Sequence, residues 1–278
     1  VRIIALLAVY NEAKILGRTL RWLADQGVES YVIDNDSTDD SRAVAEALLG
    51  SGVVGVETLA RNETFDLEAQ LRRKEQLAAD LKADWYIHHD ADEIRQAPAE
   101  FQNLASGLAA VDRAGHNAVD FHEFAFMPTS IEEDFEHENF IEEMRYYCFI
   151  ERDTFAKHRI NAWKNLGRPI DLASSAGHQV RFQGRKVYPK KFILRHYLAL
   201  SREHVLRKYC DRQFRESELS RGWHGARATI RVEDVELPKR SELKRLGPGA
   251  DWDLSDPWRY EPLFRKAPTP SARSKQPG

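Results

Sequence analysis

Apolar positions in the first third of the chain follow two alternating periods. Ile3-Ile4-Ala5-Leu6-Leu7-Ala8-Val9 is an unbroken apolar run, the pattern of a strand covered on both faces. Past Asn11-Glu12, the residues Ile15, Leu16, Leu20 and Leu23 recur at helical spacing, and Gly27 closes that segment. Ser30-Tyr31-Val32-Ile33 reads as a second strand, and Ala43, Val44, Ala47 and Leu48 mark a helix over 41–49. Residues 52–56 suggest a third strand, 67–81 a longer helix, and Trp85-Tyr86-Ile87 a fourth strand. Strands that alternate with helices of about 10–15 residues predict an α/β fold: a Rossmann-like, mainly parallel central sheet flanked by helices.

The second half is less regular. Residues 118–126 alternate and read as one strand, 129–143 are acidic and read as a loop or short helix, and 192–194 form one more strand-like run. Residues 201–221 carry Val205, Leu206, Tyr209 and Phe214 as an apolar stripe, so a helical C-terminal extension is expected over 201–265. From 266 to 278 the composition of Pro, Ser, Lys and Gly predicts a disordered tail.

Composition narrows the function without naming it. A net charge of −3, from 41 basic and 44 acidic residues, gives no global field for nucleic acid. Two cysteines, Cys148 and Cys210, exclude a disulfide framework. No apolar run approaches the roughly 20 residues that span a bilayer. The opening ten residues lack the basic start and cleavage site of a signal peptide. The expected setting is a reducing cytoplasm, with peripheral attachment to a membrane left open. Oligomeric state is not readable.

Chemistry gathers at the ends of the expected strands. Ligands of parallel sheets bind beyond the carboxyl ends of the strands, and three polar segments fall there: Tyr10-Asn11-Glu12, Asp34 to Asp40, and His88-His89-Asp90-Ala91-Asp92-Glu93. Asp90 and Asp92 can face one cavity if the chain turns between them, and hard cations such as Mg²⁺ or Mn²⁺ take carboxylate oxygens alongside substrate phosphates. An isolated Asp-x-Asp is a common acidic turn; its position at a strand end is what raises it. The run Asp34-Asn35-Asp36-Ser37-Thr38-Asp39 reads first as a turn and helix cap, with Ser37, Thr38 or Asp39 as cap. Asp34 and Asn35 are also able to bond a base or ribose.

Taken together, Ala8-Val9-Tyr10-Asn11-Glu12, Val32 to Ser41 and Trp85 to Glu93 resemble, in order and spacing, the three N-terminal signatures of family 2 glycosyltransferases. The resemblance covers about residues 1–100. It implies a GT-A fold over 1–200, with a nucleotide-sugar half (1–100) and an acceptor and metal half (101–200). It further implies that Tyr10 lies against the base, with Asn11 beside it, Glu12 on ribose or base, and Asn35 at the polar edge of the base. Asp90 and Asp92 become the metal pair on the donor diphosphate, a DXD motif, with UDP the default nucleotide. The segments Asn161 to Pro169, Gly177-His178 and Arg195-His196-Tyr197 are similar, more loosely, to a GT-A branch with Trp-Lys and late His-Tyr motifs. A late histidine of this kind completes a metal shell, and His196, at a strand end, is preferred over His178.

Several residues keep two readings. Lys164 and Arg168 neutralise a diphosphate or lie on a solvated basic surface. In Arg72-Arg73-Lys74, mostly a solvated helix face, Arg72 is taken as reaching the nucleotide. Trp163 is an acceptor platform or, more commonly, core. An inverting transfer needs a carboxylate to take the acceptor's proton; Asp171 is preferred, Glu123 is second, and Asp153 stays open. The expected activity is metal-dependent transfer of a sugar from a nucleotide donor to a carbohydrate, lipid-linked or small-molecule acceptor. The alternatives are a nucleotidyltransferase, disfavoured because Tyr10-Asn11-Glu12-Ala13 lacks a glycine-rich triphosphate loop, and a non-catalytic carbohydrate-binding protein.

Overall fold

The computed structural model describes residues 1–61, 64–152, 157–224, 227, 229–249, 251–259 and 262–263. Strands β1 (Ile3–Val9), β2 (Glu29–Asp34), β3 (Val53–Thr58) and β4 (Trp85–His89) alternate with helices α1 (Ala13–Asp25), α2 (Ser41–Glu46) and α3 (Leu67–Asp80). The four strands pair in parallel in the order β3-β2-β1-β4. The apolar run of β1 explains why two helices flank it. Its odd positions, Ile3, Ala5, Leu7 and Val9, join a core with Ile15, Leu16, Leu20 and Leu23 of α1. Its even positions, Ile4 and Leu6, join Leu71, Leu77 and Ala78 of α3 on the other face.

Two short strands complete this sheet: β6 (Ala118–Val119), and β9 (Ala162–Lys164) antiparallel to both β4 and β6. A second sheet runs in the order β11-β8-β7-β10-β5. Its members are β5 (Glu93–Gln96), β7 (Phe121–Phe126), β8 (Tyr146–Ile150), β10 (Phe192–Tyr197) and β11 (Lys244–Arg245). Helix α4 (Leu104–Arg113) opens on a capping box made by Asn103 and Ser106, and α5 (Phe140–Glu143) lies in the acidic segment.

The single strand expected over 118–126 is two strands in two sheets. Asp120 breaks it: this buried carboxylate accepts from the N–H groups of Phe121 at 2.9 Å and Arg159 at 2.8 Å. It also meets His158 and Lys191, at 2.8 and 3.0 Å. Alternation alone could not show where the chain crosses from one sheet to the other.

The expected helical extension over 201–265 is likewise corrected. Among the described residues of that span, α6 (Arg202–Val205), a π-helical turn (Leu206–Cys210), α7 (Glu216–Leu219), two 3-10 turns and the strand β11 interrupt an irregular path. Val205 and Tyr209 pack under the second sheet with Leu198 and Ala199, and this docking replaces the one-sided packing a long helix needs. The tail expected over 266–278 lies outside the described residues. No helix among the described residues is long and apolar enough to cross a membrane.

Candidate active site

The ends of β1 and β2 are tied to each other by side chains. Asn11 takes a left-handed backbone, φ 55°, which asparagine tolerates better than most residues. Its amide donates to Thr38 Oγ1 at 3.1 Å and accepts from the Thr38 N–H at 2.8 Å. Ser37 Oγ accepts from the Asn11 N–H at 3.0 Å, and Ser41 Oγ from that of Glu12 at 2.7 Å. Asp39 bonds the N–H groups of Ala13 and Ser41, at 3.1 and 2.9 Å. Asn11 is thus a brace between two strand ends.

Beneath this brace, Asp34 and Asn35 are buried. The Asn35 amide donates to Leu59 O at 2.9 Å and accepts from Gln70 Nε2 at 2.7 Å, so both its ends are engaged within the protein. Asp34 Oδ2 accepts from the Ser37 N–H at 3.3 Å, and its Oδ1 is buried with no hydrogen-bond partner. Tyr10 stays partly exposed, with the Arg61 guanidinium 3.5 Å from its ring centroid.

The acidic turn joins the two sheets. Beyond β4, the Glu93 N–H closes on Asp90 O at 3.2 Å. Thr19 Oγ1 holds Ala91 O at 2.6 Å, and the Tyr197 N–H holds Asp92 O at 2.8 Å. The chain then enters β5, whose register sets Glu93 opposite His196 of β10. In this way the β10 strand end delivers His196 to Asp92.

A line of alternating charge results. His196 Nε2 lies 3.7 Å from Asp92 Oδ2, and His196 Nδ1 lies 2.7 Å from Glu123 Oε1. Glu123 Oε2 meets Arg159 Nη2 at 2.7 Å, and Arg159 reaches His178. Lys208 sits on Asp92 Oδ2. Asp90 is half-exposed, 3.5 Å from the ammonium of buried Lys74, which also bonds His89 O and contacts His88 Nδ1, each at 3.0 Å.

These neighbours set the protonation states. Burial pushes the Asp92 carboxyl up, but Lys208 and His196 outweigh it and hold the group below its ordinary range. Asp90 is likewise held low, its partial desolvation being overcome by Lys74 and the surrounding histidines. Burial pulls His196 down, and its bond to Glu123 with the charge of Asp92 brings it above the ordinary histidine value. Glu12 is different: burial and the nearby Asp92 charge push it up to about 8.

The donor set fits a divalent cation in part. With Nδ1 bonded to a carboxylate, His196 turns Nε2 toward Asp92, the arrangement that aims an imidazole at a metal. Asp90 and Asp92 supply oxygen for a hard cation. Among the described residues, no three such side chains form a ready cage. Asp92 and His196 would therefore be joined by oxygens of a diphosphate and water, as small hard cations accept.

Other expected residues stand apart from this cluster. Lys164 pairs with Trp85, at the opposite end of β4 from Asp90, and its ammonium is 2.5 Å from Asp112. Arg72 faces solvent between Glu68 and Glu75. Asp171 precedes a 3-10 turn, its side chain accepts from the Ser174 N–H at 2.9 Å, and its backbone pairs with that of Arg181. Arg168 is exposed and bonds Gln183 O at 3.3 Å. Trp163 is core, 5.9 Å from Tyr86 between ring centroids. Asp153 lies outside the described residues. Glu123 reaches the cluster, but both its oxygens are committed to His196 and Arg159.

Lys208 was missed, and Lys74 was passed over in favour of Arg72; both left a sequence signal. Lys74 stands on the same helical face as Gln70, Leu71, Leu77 and Ala78, all buried; a lysine on the apolar stripe announces a buried partner. Lys208 follows Val205 by three positions and so shares its inward face.

Fold and site together define a mixed α/β protein whose ligand edge lies beyond a parallel sheet and ends in an acidic turn. Residues 5–96 match the model of glycosyl transferase family 2. That match takes in all three polar strand ends. No curated protein matches the sequence significantly. Among solved structures the chain is similar to S. aureus TarS, with 12% identity and a TM-score of 0.42, over 84% of this chain and 46% of that one. It is similar to S. aureus TarS 1-349 in complex with UDP-GlcNAc, with 13% identity and a TM-score of 0.41, over 71% and 58%. A UDP-glucose pyrophosphorylase complexed with UDP-glucose aligns with 6% identity and a TM-score of 0.28, over 65% and 73%. The chain thus spans less than half of the TarS structure of the first comparison. Alignments this loose carry no donor, acceptor or site residue to the present chain.

Proposed function

We propose that this protein transfers a sugar from a nucleotide-diphosphate donor to an acceptor hydroxyl, releasing the nucleoside diphosphate and the acceptor's proton, and that a divalent cation assists. The observation behind this reading is the meeting of Asp92 and His196, with Glu123 behind the imidazole, at the edge where β1, β2 and β4 end. Asp92, His196 and the half-exposed Asp90 would hold Mn²⁺ or Mg²⁺. When bound, such an ion offsets the charge that grows on a departing diphosphate.

The chain's own residues do the rest. Tyr10, with Arg61 over one face, offers a flat edge for a base, and the buried Asp34 Oδ1 retains an acceptor for a donor group of the ligand. A UDP-sugar is the donor that the family resemblance carries. Glu123 is assigned to orienting His196 rather than to taking the acceptor's proton, because neither of its oxygens is uncommitted. The acceptor is a carbohydrate, lipid-linked or small-molecule hydroxyl. A thermal-shift screen of nucleoside diphosphates and sugar nucleotides, with and without Mn²⁺, tests the reading. One nucleotide should raise Tm selectively and more strongly with Mn²⁺, and Asp92→Asn should lose the metal-dependent part. No selective ligand, or an equal shift in Asp92→Asn, overturns it.

A further inference from the structure

The cation nearest Asp92 belongs to the chain. Lys208 sets its ammonium on Asp92 Oδ2, the same oxygen that faces His196 Nε2 at 3.7 Å. This is an interior contact: the Lys208 side chain is 14% exposed and that of Asp92 8%. Lys208 also donates to Leu198 O at 3.2 Å. It arrives from the π-helical turn Leu206–Cys210, a local widening of the helix often found at functional sites. The turn is pinned by Tyr209, which is buried and bonds Leu198 O at 3.3 Å.

An ammonium on Asp92 Oδ2 repels a dication that approaches the same carboxylate and already offsets part of the charge that would hold it, so the two compete for Asp92. We propose that Lys208 holds the cation's position on Asp92 in the nucleotide-free protein. The incoming diphosphate then draws the ammonium away, so that metal and nucleotide enter together. A phosphate oxygen is a strong acceptor for an ammonium, and Arg212 of the same segment is near enough to feel the charge of Glu12. The inference rests on the donor reading above and adds to it an order of assembly, with Lys208 as the positioning residue. A ligand-free site that admitted metal alone would bind it without regard to nucleotide; this one makes the two ligands reciprocal.

Mn²⁺ binding, followed by electron paramagnetic resonance on the full chain, separates the possibilities. Without nucleotide, Lys208→Met is expected to bind Mn²⁺ about tenfold or more tightly than wild type, since a like charge is removed from the site. Addition of UDP should then raise Mn²⁺ affinity by a larger factor in wild type than in the variant. Equal or weaker Mn²⁺ binding by Lys208→Met without UDP overturns the inference, as does an equal UDP effect in both proteins. Lys208→Gln, which keeps a donor for Leu198 O, repeats the comparison should the methionine variant fail to fold by circular dichroism. If wild type binds Mn²⁺ but never UDP, the donor reading fails, while the nucleotide-free comparison still decides whether Lys208 competes with metal.

Discussion

His196 stands between two carboxylates, Nδ1 at 2.7 Å from Glu123 and Nε2 at 3.7 Å from Asp92. The two contacts differ in kind. The first is a hydrogen bond made inside the second sheet, where β10 and β7 run in parallel with Leu194 opposite Glu123. The second crosses to the turn that leaves the first sheet. One ring therefore couples the rigid part of the fold to the residue proposed to carry metal.

Removing the outer partner should loosen that coupling. Glu123→Gln keeps the side chain's shape but exchanges a carboxylate for a weaker acceptor. Loss of an outer partner of this type typically costs about 10–100-fold in metal affinity or activity. The variant is expected to lose Mn²⁺ affinity by that factor while keeping metal-free UDP binding. Isothermal titration with each ligand separately checks this, and a parallel loss of both would assign Glu123 to general stability instead.

A contrast between two lysines tests which edge of the sheet is used. Lys164 is opposite Trp85, and the far end of β4 is His89; at about 3.3 Å per residue the two ends are well over 10 Å apart. Lys164→Ala should leave nucleotide binding unchanged and alter stability by less than about 1 kcal/mol, the scale of a partly exposed pair. Lys74→Met should weaken nucleotide binding, since it removes the buried ammonium beside Asp90. Arg72→Ala, on the solvent face of α3, should behave like Lys164→Ala. Nucleotide titrations of the three variants, with urea unfolding, give the comparison; equal losses would place the nucleotide elsewhere.

The difference between those lysines marks where sequence stops being legible. The parallel half could be read because β1 is apolar at every position and each of the first three strands is followed by a helix. The polar strand ends followed from that alternation, and Asp90 and Asp92 with them. What could not be read depends on pairing between distant segments. Lys164 lies near the metal turn or far from it according to the direction of β9, which pattern does not give. Asp120 divides an alternating run because His158, Arg159 and Lys191 arrive from elsewhere to satisfy it. Lys208 reaches Asp92 across 116 residues of chain. A charge on an apolar face was the local sign of such partners, at Lys74 and at Lys208.

Glu12 gives the site a pH dependence with a definite sign. Its carboxyl is pushed up by burial and by the Asp92 charge, to about 8 from an ordinary 4.5. The folded protein therefore binds a proton that the unfolded chain releases between these values. Stability from this group is fully present below pH 4.5 and is lost as pH rises toward 8. Glu12→Gln should remove that loss, so its Tm should exceed wild type at pH 8 and approach it near pH 5. Thermal melts of both proteins across this range are the check. A wild-type excess at pH 8 would contradict the assignment.

A buried carboxylate helps tie the C-terminal segment to α3, beside the Arg215–Asp66 and Arg221–Glu68 ion pairs, and this yields the most local prediction. Glu218 is fully buried; its Oε1 accepts from the Glu68 N–H at 2.8 Å and its Oε2 meets His224 Nε2 at 2.7 Å. Glu68 lies in the first turn of α3, where N–H groups have no partner within the helix. Asp66 satisfies one of them through Ala69, at 2.9 Å. Glu218 satisfies another from 150 residues away, and its charge is favourable at a helix start. Phe65, Phe214 and His224 pack around the contact, with Phe214 and His224 stacked at 4.3 Å. Glu218→Ala leaves the Glu68 N–H and the imidazole without this partner, at a cost of about 1–3 kcal/mol. Because Lys208 precedes this anchor on the same segment, the variant should also expose 206–224 to limited proteolysis before the sheets unfold. Urea unfolding with proteolysis at low denaturant measures both. Wild-type resistance in the variant would show that the aromatic stack and the two ion pairs, not the carboxylate, hold the segment on α3.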